Sequence, residues 1–448
     1  MPPQVSLIQT DASEISVGLR SRARRADSSG QFTVEEVKRH NTPKDCWVII
    51  HEKVYDVTEF FPMHPGGQVL LTAAGGDATE VFSAFHSTHA FGMLKEYMIG
   101  SVTDLQPPEV IREFRALRAS LQKQRMFESS KLYYAYKILS NLSIVGMGIY
   151  LIWSSSFLPI QLLGAFLIAV FFQQSGWLAH DFLHHQVFHS RFLNNCVGLF
   201  LGNFCQGFSV HWWKLKHNTH HAVPNIIDHD PDIDTLPFLA WSRKLLCRLQ
   251  NPLSRFLVRN QVFLYVPLLS FARVLWATES FVASWYELFV PPKEYHIGYR
   301  IAEAVLVTLH WAWFITALSI LGPLKGFLFG WFITAIAGLF LASVFVISHN
   351  GMEILDEQLD FVHTQMYTTR DVTPNLFNNW FTGGLNYQIE HHLFPTMPRH
   401  NFRRARKQIK AFCDKHKIPF LECGFIEGSL ELFRHLHDVS DGLQELKN

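Results

Sequence analysis

The chain has 448 residues, of which 39 are lysine or arginine and 38 are aspartate or glutamate, and 48% of all residues are hydrophobic. A formal net charge of +1 gives no overall basic field, so nothing in the charge balance indicates a nucleic-acid partner. The apolar residues are concentrated between positions 133 and 349, and both ends have the composition of soluble protein. We therefore expect a membrane unit with soluble parts attached.

The first thirty residues carry the basic run RSRARR among serine, aspartate and glycine, without the apolar core of a signal peptide. They predict a disordered tail on the cytosolic side. The six cysteines show no CxxC spacing, and several fall in apolar runs. They are interpreted as reduced packing residues of a protein whose soluble parts face the cytosol.

The segment after the tail has the pattern of a small α+β domain. Thr33 followed by Glu36 predicts a capped helix start, and WVII and KVYDV predict two strands joined by a tight turn. The motif HPGG begins at His64, and His86 follows 22 residues later in an apolar helical context. Two imidazoles at this interval can face each other across a flat apolar cofactor, with His89 as the competing candidate for the second position.

A charged linker and several apolar segments follow. The linker begins with two prolines and continues as a helix with periodic apolar residues, which is predicted to lie on the membrane surface. Segments of about 20 apolar residues predict membrane spans. Four segments satisfy this criterion, namely 132–153, 157–177, 302–321 and 324–348. Two weaker segments contain polar residues and are expected to be interfacial or re-entrant, namely 192–208 and 262–283.

Four crossings place every histidine cluster on the same side of the membrane as the N-terminal domain. Lysine and arginine are dense in the segments 112–131 and 399–410, which this arrangement places inside. The positive-inside rule therefore predicts that the clusters and the N-terminal domain face the cytosol.

Three histidine clusters lie close to the predicted spans, and they are QQSGWLAHDFLHH, HNTHH and QIEHH. In the first cluster, His180 and His184 lie one helical turn apart on one face, which is a metal-chelating geometry. Imidazole suits zinc, copper and iron alike, so the clusters by themselves leave the metal open. The absence of HExxH from the sequence removes the metalloprotease interpretation. Histidines that recur as HxxxH, HxxHH and QxxHH on one membrane face are interpreted as metal ligands.

The motifs resemble two known families. The order CWVII, VYDV, HPGG, GGDATEVF and a following FH resembles cytochrome b5, which implies a b-type haem with His64 and His86 as axial ligands. The motifs GWLAHDFLHHQVF, WWKLKHNTHHAVPN, DPDIDTLP, ISHNGM and NWFTGGLNYQIEHHLFPTMPRHN resemble the membrane fatty-acyl desaturases. The fused haem domain, with Gln388 opening the last cluster, narrows the resemblance to the front-end desaturases and most closely to Δ6-desaturases.

This resemblance implies two iron ions, with O2 as cosubstrate. The implied ligands are His180, His184, His217, His220, His221, His349, Gln388, His391 and His392. His185 is placed outside the ligand set, because the family pattern at the first cluster is HxxxH. Four further histidines are interpreted as structural, namely His211, His229, His363 and His400. Acidic residues that are candidates to orient imidazole N–H groups are Asp181, Asp230, Asp232, Asp234 and Glu390. For the DPDID run a solvated loop is equally open.

The chemistry of the implied reaction agrees with iron. Removal of hydrogen from an unactivated methylene requires a redox metal that activates O2, and zinc has no redox chemistry. The tethered haem domain is expected to deliver electrons at high effective concentration from an NADH-dependent cytochrome b5 reductase. The acyl substrate is expected to be carried by coenzyme A or by a phospholipid of the membrane. Candidates to anchor a phosphate-bearing headgroup, or equally ordinary interfacial anchors, are Trp212, Trp213, Lys214 and Lys216.

The sequence thus predicts an α+β cytochrome b5-like haem domain fused to an all-α membrane domain with four transmembrane helices and a cytosolic histidine-rich diiron cap. The predicted parts are a disordered tail (1–30), the haem domain (31–104), a linker with an interfacial helix (105–131) and the desaturase domain (132–448). The last residues of that domain, 399–448, are expected to form short helices over the catalytic face.

The expected reaction is Δ6 desaturation of linoleoyl and α-linolenoyl chains in the endoplasmic reticulum membrane, as a step of polyunsaturated fatty acid biosynthesis. Alternatives of the same chemistry are Δ5 acyl desaturation, sphingolipid long-chain-base Δ8 desaturation and acyl hydroxylation. A membrane-anchored b-type electron carrier with degenerate histidine clusters is the alternative of a different class.

Overall fold

The computed structural model describes residues 30–64, 66–292 and 295–445. The predicted N-terminal tail up to residue 29, with its basic run, lies outside these ranges. Within them, an N-terminal α+β domain stands before a helical domain that contains the candidate membrane helices. All six cysteines are free thiols, and four of them are buried.

The N-terminal domain is built on a five-stranded sheet of order β1-β5-β4-β3-β2. Its strands are β1 Gly30–Phe32, β2 Asn41–Thr42, β3 Asp45–Ile50, β4 Lys53–Asp56 and β5 Met98–Val102. The predicted hairpin is β3 paired antiparallel with β4, with Ile49 opposite Val54. Both of these side chains are fully buried, because the apolar residues of the two strands face the same small core.

Three helices cover this sheet: α1 Val34–Lys38, α2 Thr79–Phe85 and α3 Thr88–Met93, with 3₁₀ turns at Phe61–Met63, Gly67–Ala73 and Leu94–Glu96. The predicted capping box of α1 is present. The Thr33 hydroxyl accepts a hydrogen bond from Glu36 N at 3.2 Å, and the Glu36 carboxylate accepts one from Thr33 N at 2.7 Å. Two backbone N–H groups at the start of the helix are thereby satisfied.

The regular elements of the remaining described chain are almost all helices, joined by several long loops. In chain order its helices are α4 Glu109–Lys123, α5 Lys131–Ser154, α6 Leu158–Leu183, α7 Arg191–Leu199, the π-helix Phe200–Gln206, α8 Val210–Ala222, α9 Pro252–Arg259, α10 Gln261–Ser270, α11 Ala272–Phe289, α12 Ile297–Ser319, α13 Pro323–His349, α14 Phe361–Thr368, α15 Leu376–Phe381, α16 Gln388–Leu393, α17 Phe402–His416 and α18 Phe425–Glu445. Short 3₁₀ helices lie at Arg243–Arg248 and Arg399–Asn401, and the strands β6 Asp371–Val372 and β7 Glu422–Cys423 pair in parallel.

Four of these helices, α5, α6, α12 and α13, are long and apolar enough to cross a membrane. They correspond to the four predicted spans. α6 is the most enclosed of the four, because α5, α13 and the π-helix all pack against it. Its C-terminal half, which carries the first histidine cluster, is therefore surrounded by protein.

The bent pair α10–α11, with an angle of 53° at its break, is either a broken span or a re-entrant loop. His220, before this pair, and His349, after it, have their Nε2 atoms 3.3 Å apart. The chain between two neighbouring atoms must cross the membrane an even number of times. Because α12 and α13 already provide two crossings, α10–α11 re-enters and does not form a fifth span.

The predicted re-entrant character of the segment around the π-helix has a polar explanation. The carbonyl of Phe204 accepts hydrogen bonds from His310 Nδ1 at 2.9 Å and Trp313 Nε1 at 3.0 Å. The carbonyl of Gln206 accepts one from the fully buried Arg273 at 2.8 Å. Carbonyl groups exposed at the end of an irregular helix must be satisfied by protein where no water is present. Side chains from α11 and α12 supply those donors.

The linker helix α4 differs from the expectation of a helix on the membrane surface. Its apolar face, which includes Ile111, Phe114 and Leu121, is buried in one cluster with Ile389 and Phe394. The helix therefore packs on the protein segment that carries the third histidine cluster. An amphipathic pattern is equally satisfied by lipid and by a protein core, and here the core covers it.

The C-terminal residues pack over the histidine-bearing segments, as predicted, but the helices are not short. α17 has 15 residues and packs on α16, and α18 has 21 residues and packs on α10 and α13.

Candidate metal centre and haem site

The structure brings all nine predicted ligand side chains together at the ends of the spanning helices. Five imidazoles, which we term the five-histidine nest, have ligand nitrogens that all lie within 4.8 Å of one another: His180, His184, His217, His221 and His391. Three more form the three-histidine nest by the same criterion: His220, His349 and His392. Gln388 adjoins the second nest, with its Nε2 2.7 Å from His349 Nε2.

Helix geometry explains how neighbouring residues serve different nests. His217 and His221 lie four residues apart on α8 and face the same nest, whereas His220 is rotated by about 60° from His217 and about 100° from His221 and joins the other nest. His391 and His392 divide in the same way on α16. Adjacent histidines on one short helix can therefore supply two metal positions.

Inside each nest, ring nitrogens of different histidines face one another at close distance. The Nε2 of His180 lies 3.0 Å from the Nε2 of His391, and the Nε2 atoms of His217 and His221 are 3.1 Å apart. Other ring nitrogens in the nests are buried without a hydrogen-bond partner in the described structure, namely His184 Nε2, His221 Nδ1, His391 Nδ1 and His392 Nε2. Buried polar atoms without partners are costly. Metal ions would satisfy the Nε2 atoms that face one another inside the nests, so the residues fit a metal centre.

The protonation of three of these histidines agrees with this fit. Burial lowers the pKa of His391 to about 3, and burial with neighbouring imidazoles lowers the pKa of His217 and His221 well below the usual value. These rings are therefore neutral at physiological pH. Neutral imidazole is the form that binds a metal ion.

His64 and His86 face each other in the N-terminal domain, with ring centroids 6.0 Å apart. His86 Nδ1 lies 3.1 Å from the carbonyl of Phe82, which leaves its Nε2 as the free nitrogen. A Cβ on Gly66 would lie 2.6 Å from the His64 ring, so glycine at this position allows the ring its place. Burial lowers the pKa of His64 to about 4 and of His86 to about 3. Two neutral imidazoles at this separation fit the two axial positions of a haem. The competing candidate, His89, is exposed.

The N-terminal domain is docked against the helical domain through α2. Arg115 of α4 pairs with Glu80 at 2.6 Å and with Asp77 at 3.1 Å. Arg191 donates a hydrogen bond to the carbonyl of Phe85 at 2.6 Å. The Phe85 ring itself lies 6.0 Å from the ring of His221. The histidine pair is thus held beside the five-histidine nest.

Comparisons with known proteins agree with both sites. Residues 33–103 match the model of the cytochrome b5-like haem/steroid binding domain, and residues 156–424 match the fatty acid desaturase model. This chain belongs to the fatty acid desaturase family. The family uses a diiron centre and O2, and the fused domain carries haem. The expected membership of the front-end desaturases, with a fused cytochrome b5 domain, is confirmed.

Three relatives cover most of this desaturase. The acyl-lipid (9-3)-desaturase of Physcomitrium patens is 41% identical over 92% of this chain and 79% of its own length. The Delta(8)-fatty-acid desaturase of Euglena gracilis is 36% identical over 86% of this chain and 93% of its own. The Delta(6)-fatty-acid desaturase fat-3 of Caenorhabditis elegans is 33% identical over 87% of this chain and 95% of its own length. The named positions differ among them, so family membership leaves regiochemistry open.

Several side chains of the desaturase orient the imidazoles from outside the nests. Asp230 Oδ2 lies 2.9 Å from His220 Nδ1. Burial opposes a charge on His220, but Asp230 and Asp232 outweigh burial and raise the pKa of His220 to about 9. A carboxylate partner gives a ligating imidazole this higher basicity, and a metal ion would displace the proton from the His220 ring on binding. Gln365, which the sequence analysis missed, places its Oε1 2.8 Å from His392 Nδ1. No motif in the sequence marks Gln365.

The other acidic candidates differ in how close they lie to an imidazole nitrogen. Asp181 lies 3.4 Å from His180 Nδ1, accepts a hydrogen bond from the Tyr134 hydroxyl at 2.9 Å and forms a buried ion pair with Arg399. Asp232 is 3.6 Å from His220 Nδ1, and Asp234 is exposed. Glu390 is buried, but its nearest charged partner is Arg406, at 3.5 Å. Of the five candidates, therefore, Asp230 and Asp181 are well placed to orient imidazoles.

The histidines predicted to be structural lie outside both nests. His211 Nδ1 lies 2.6 Å from Glu287, and His363 Nδ1 lies 2.6 Å from Asp360. His400 accepts a hydrogen bond from Ser130 N, and His229 is exposed. His185 follows α6 with a φ of 58° and lies outside both nests.

Of the four residues predicted as anchors for a lipid headgroup, two lie inside the protein or over the histidines and two contact Glu279. Lys214 is buried and donates to Asn195 at 2.7 Å, so its charge is not offered at the surface. Trp213 stacks on His217 at 4.3 Å between centroids and covers the five-histidine nest. Trp212 and Lys216 both donate to Glu279, and the Lys216 ammonium lies 4.6 Å from the Trp212 ring centroid.

Proposed function

We propose that this desaturase introduces a cis double bond at the Δ6 position of linoleoyl and α-linolenoyl chains, with electrons relayed through its own haem domain. The observation that carries the proposal is the pair of buried imidazole nests at the ends of spanning helices, beside a docked histidine pair. The Δ6 position rests on the motif resemblance, and a Delta(6) enzyme among the relatives supports it.

The two nests are the proposed diiron centre. The five-histidine nest would hold one iron, and the three-histidine nest with Gln388 would hold the other. Bound there, the irons supply the O2 activation that removal of hydrogen from an unactivated methylene requires. Asp230 would keep His220 in the orientation that presents its Nε2 to the centre. Trp213, stacked over His217, would exclude water from it.

His64 and His86 are the proposed haem ligands. Bis-histidine ligation leaves no open iron position, which suits electron transfer and not O2 chemistry. Phe85 links the two sites, because it precedes His86 in the chain and its ring lies 6.0 Å from that of His221. Each turnover takes two hydrogen atoms from the acyl chain and, with two electrons and two protons, reduces O2 to two waters. NADH-cytochrome b5 reductase is the proposed electron source.

The proposed location is the endoplasmic reticulum membrane, with the haem domain and the nests facing the cytosol. Both nests lie at the ends of α6 and α13, so an acyl chain could enter from the bilayer while its headgroup stays at the interface. Trp212 and Lys216 remain the candidates for a contact with the phosphate of coenzyme A or of a phospholipid. Lys214 is excluded from this role, because its ammonium group donates to Asn195 inside the protein.

The deciding experiment is expression in yeast, with separate feeding of linoleate, α-linolenate and dihomo-γ-linolenate, followed by gas chromatography and mass spectrometry. A new double bond at carbon 6 of the C18 acids is the expected result. A bond at carbon 5 of the C20 acid would replace Δ6 by Δ5, and altered long-chain bases alone would indicate a sphingolipid desaturase. Hydroxylated lipid would indicate a hydroxylase. A variant with His391→Ala and His392→Ala should lose all product but keep haem reduction, whereas an electron carrier would lose nothing.

A further inference from the structure

A cavity of about 190 Å³ lies at the junction of the haem domain and the membrane domain. Its lining comes from four places in the chain: His86 and Ser87 after α2, Phe127 to Lys131 before and at the start of α5, the loop from His185 to Arg191, and Thr396. This volume is below the roughly 300–1,000 Å³ of pockets that enclose a whole ligand. It suits one chemical group of a ligand that is held elsewhere.

Two polar atoms in residues that line the cavity have no partner. Ser129 Oγ and His185 Nδ1 are both buried without a hydrogen bond in the described structure. They come from different segments of the chain, yet they border the same space. Buried polar atoms of this kind are rare in native proteins, and each calls for a partner that the protein does not itself provide.

The same cavity has two cations without a carboxylate. Lys131 donates to the carbonyl of Val187, and Arg191 donates to the carbonyl of Phe85. Within the described chain neither forms an ion pair. Burial lowers the pKa of Arg191 only to about 10, so the guanidinium remains charged at neutral pH. Two positive charges beside two unpartnered polar atoms form a site for the oxygens of an anion.

We propose that this cavity binds a propionate carboxylate of the haem, and that the carboxylate thereby bridges the two domains. The choice among anions follows from His86, which lines the cavity and is also a proposed haem ligand. The cavity therefore borders the proposed haem site directly. The inference therefore rests on the proposed haem ligation. The phosphate of an acyl carrier offers the same oxygen chemistry and is the competing source.

Loss of haem to excess apomyoglobin, followed by absorbance in the purified full-length protein, tests the proposal without any desaturation assay. Arg191→Gln and Lys131→Gln should each release haem about tenfold faster or more, the factor expected for one lost hydrogen bond to a charged group. Arg118→Gln is the matched control. Arg118 also donates to a carbonyl of α2, that of Ser83, and burial lowers its pKa to about 10 as well, but it does not line the cavity.

Haem dimethyl ester, which lacks the carboxylates, completes the test. With the ester, the unaltered protein and the Arg191 variant should lose haem at the same rate. Equal acceleration in the Arg118 and Arg191 variants would show a general loosening of the domain contact and overturn the proposal. Unchanged haem loss together with weaker binding of coenzyme A or of phosphatidylcholine vesicles would assign the site to a phosphate and also overturn it. A wild-type protein without a bis-histidine haem spectrum would instead refute the proposed haem ligands.

Discussion

Replacement of Asp230 by asparagine is the sharpest test of the proposed metal centre. The buried carboxylate has three contacts: its Oδ2 lies 2.9 Å from His220 Nδ1 and accepts from Asn225 N at 2.7 Å, and its Oδ1 accepts from Asp232 N at 2.9 Å. All three partners are placed to donate. An amide retains one acceptor oxygen and presents an NH2 group in place of the other, so at least one partner loses its acceptor.

The expected loss follows from the lost negative charge together with this count, because even an amide oxygen placed beside His220 no longer gives that ring a charged partner. Asp230 holds His220, and His220 belongs to the smaller of the two nests, where each ligand matters more. Removal of a partner that orients a ligating imidazole typically costs about 10–100-fold in metal affinity or activity. We therefore expect Asp230→Asn to lower desaturation by a factor in this range and to lose iron from the three-histidine nest. The haem spectrum should not change, because Asp230 lies outside the haem domain.

Asp232→Asn is the matched control on the same loop. Its carboxylate lies 3.6 Å from the same His220 nitrogen, beyond hydrogen-bond distance, and its side chain is 50% exposed. We expect a much smaller loss of activity and iron content than for Asp230→Asn, because Asp232 acts on His220 only through its charge and without a hydrogen bond. The assay is product yield by gas chromatography in yeast microsomes, together with the ratio of non-haem iron to haem in the purified protein. Equal activity and iron content in the two variants would refute the assignment of His220 as a ligand oriented by Asp230.

Three further predictions concern the domain contact, the buried lysine and a buried ion pair. Phe85→Leu should slow reoxidation of the reduced haem severalfold without changing its reduction, whereas Phe91→Leu, within the haem domain, should not; stopped-flow absorbance in which both variants behave alike would contradict the proposed contact. Burial and Arg191 lower the pKa of Lys214 to about 7, against about 10.4 when unfolded. The unfolded chain therefore binds more protons between these values, so stability rises with pH across that window. Lys214→Met should flatten this rise in thermal unfolding scans, and an unchanged slope would show that Lys214 is not the cause. Arg399→Met leaves the buried Asp181 without its cation and should lower the free energy of unfolding by about 3–5 kcal/mol; a stability equal to wild type in denaturant titration would show that the pair contributes nothing.

The motifs, through their resemblance to two families, implied the fold class and the nine ligands as one set. Spacing of four residues places His180 near His184, and His217 near His221, on any α-helix. Apolar length determined the four spans, because the bilayer thickness is fixed. These inferences depend on local geometry and composition, which do not change with the tertiary arrangement.

The division of the ligands between two nests was not visible in the motifs. His220 and His221 are adjacent in one cluster, and the orientation of α8 relative to α13 and α16 decides that His220 meets His349 while His221 meets His391. The contact of Gln365 with His392 was likewise not predicted, because a lone glutamine belongs to no motif or spacing that would mark it.

The linker helix α4 shows most clearly what the sequence leaves undecided. Its apolar stripe predicts a buried face, but the stripe is the same whether lipid or protein covers it. Only the docking of α17 and of the third histidine cluster against Phe114 placed that face inside the protein. The sequence by itself marked the histidines of the three motifs and the apolar faces that must be buried. Tertiary structure decided their partners, because contacts between distant segments depend on how helices rotate and pack, and not on local periodicity.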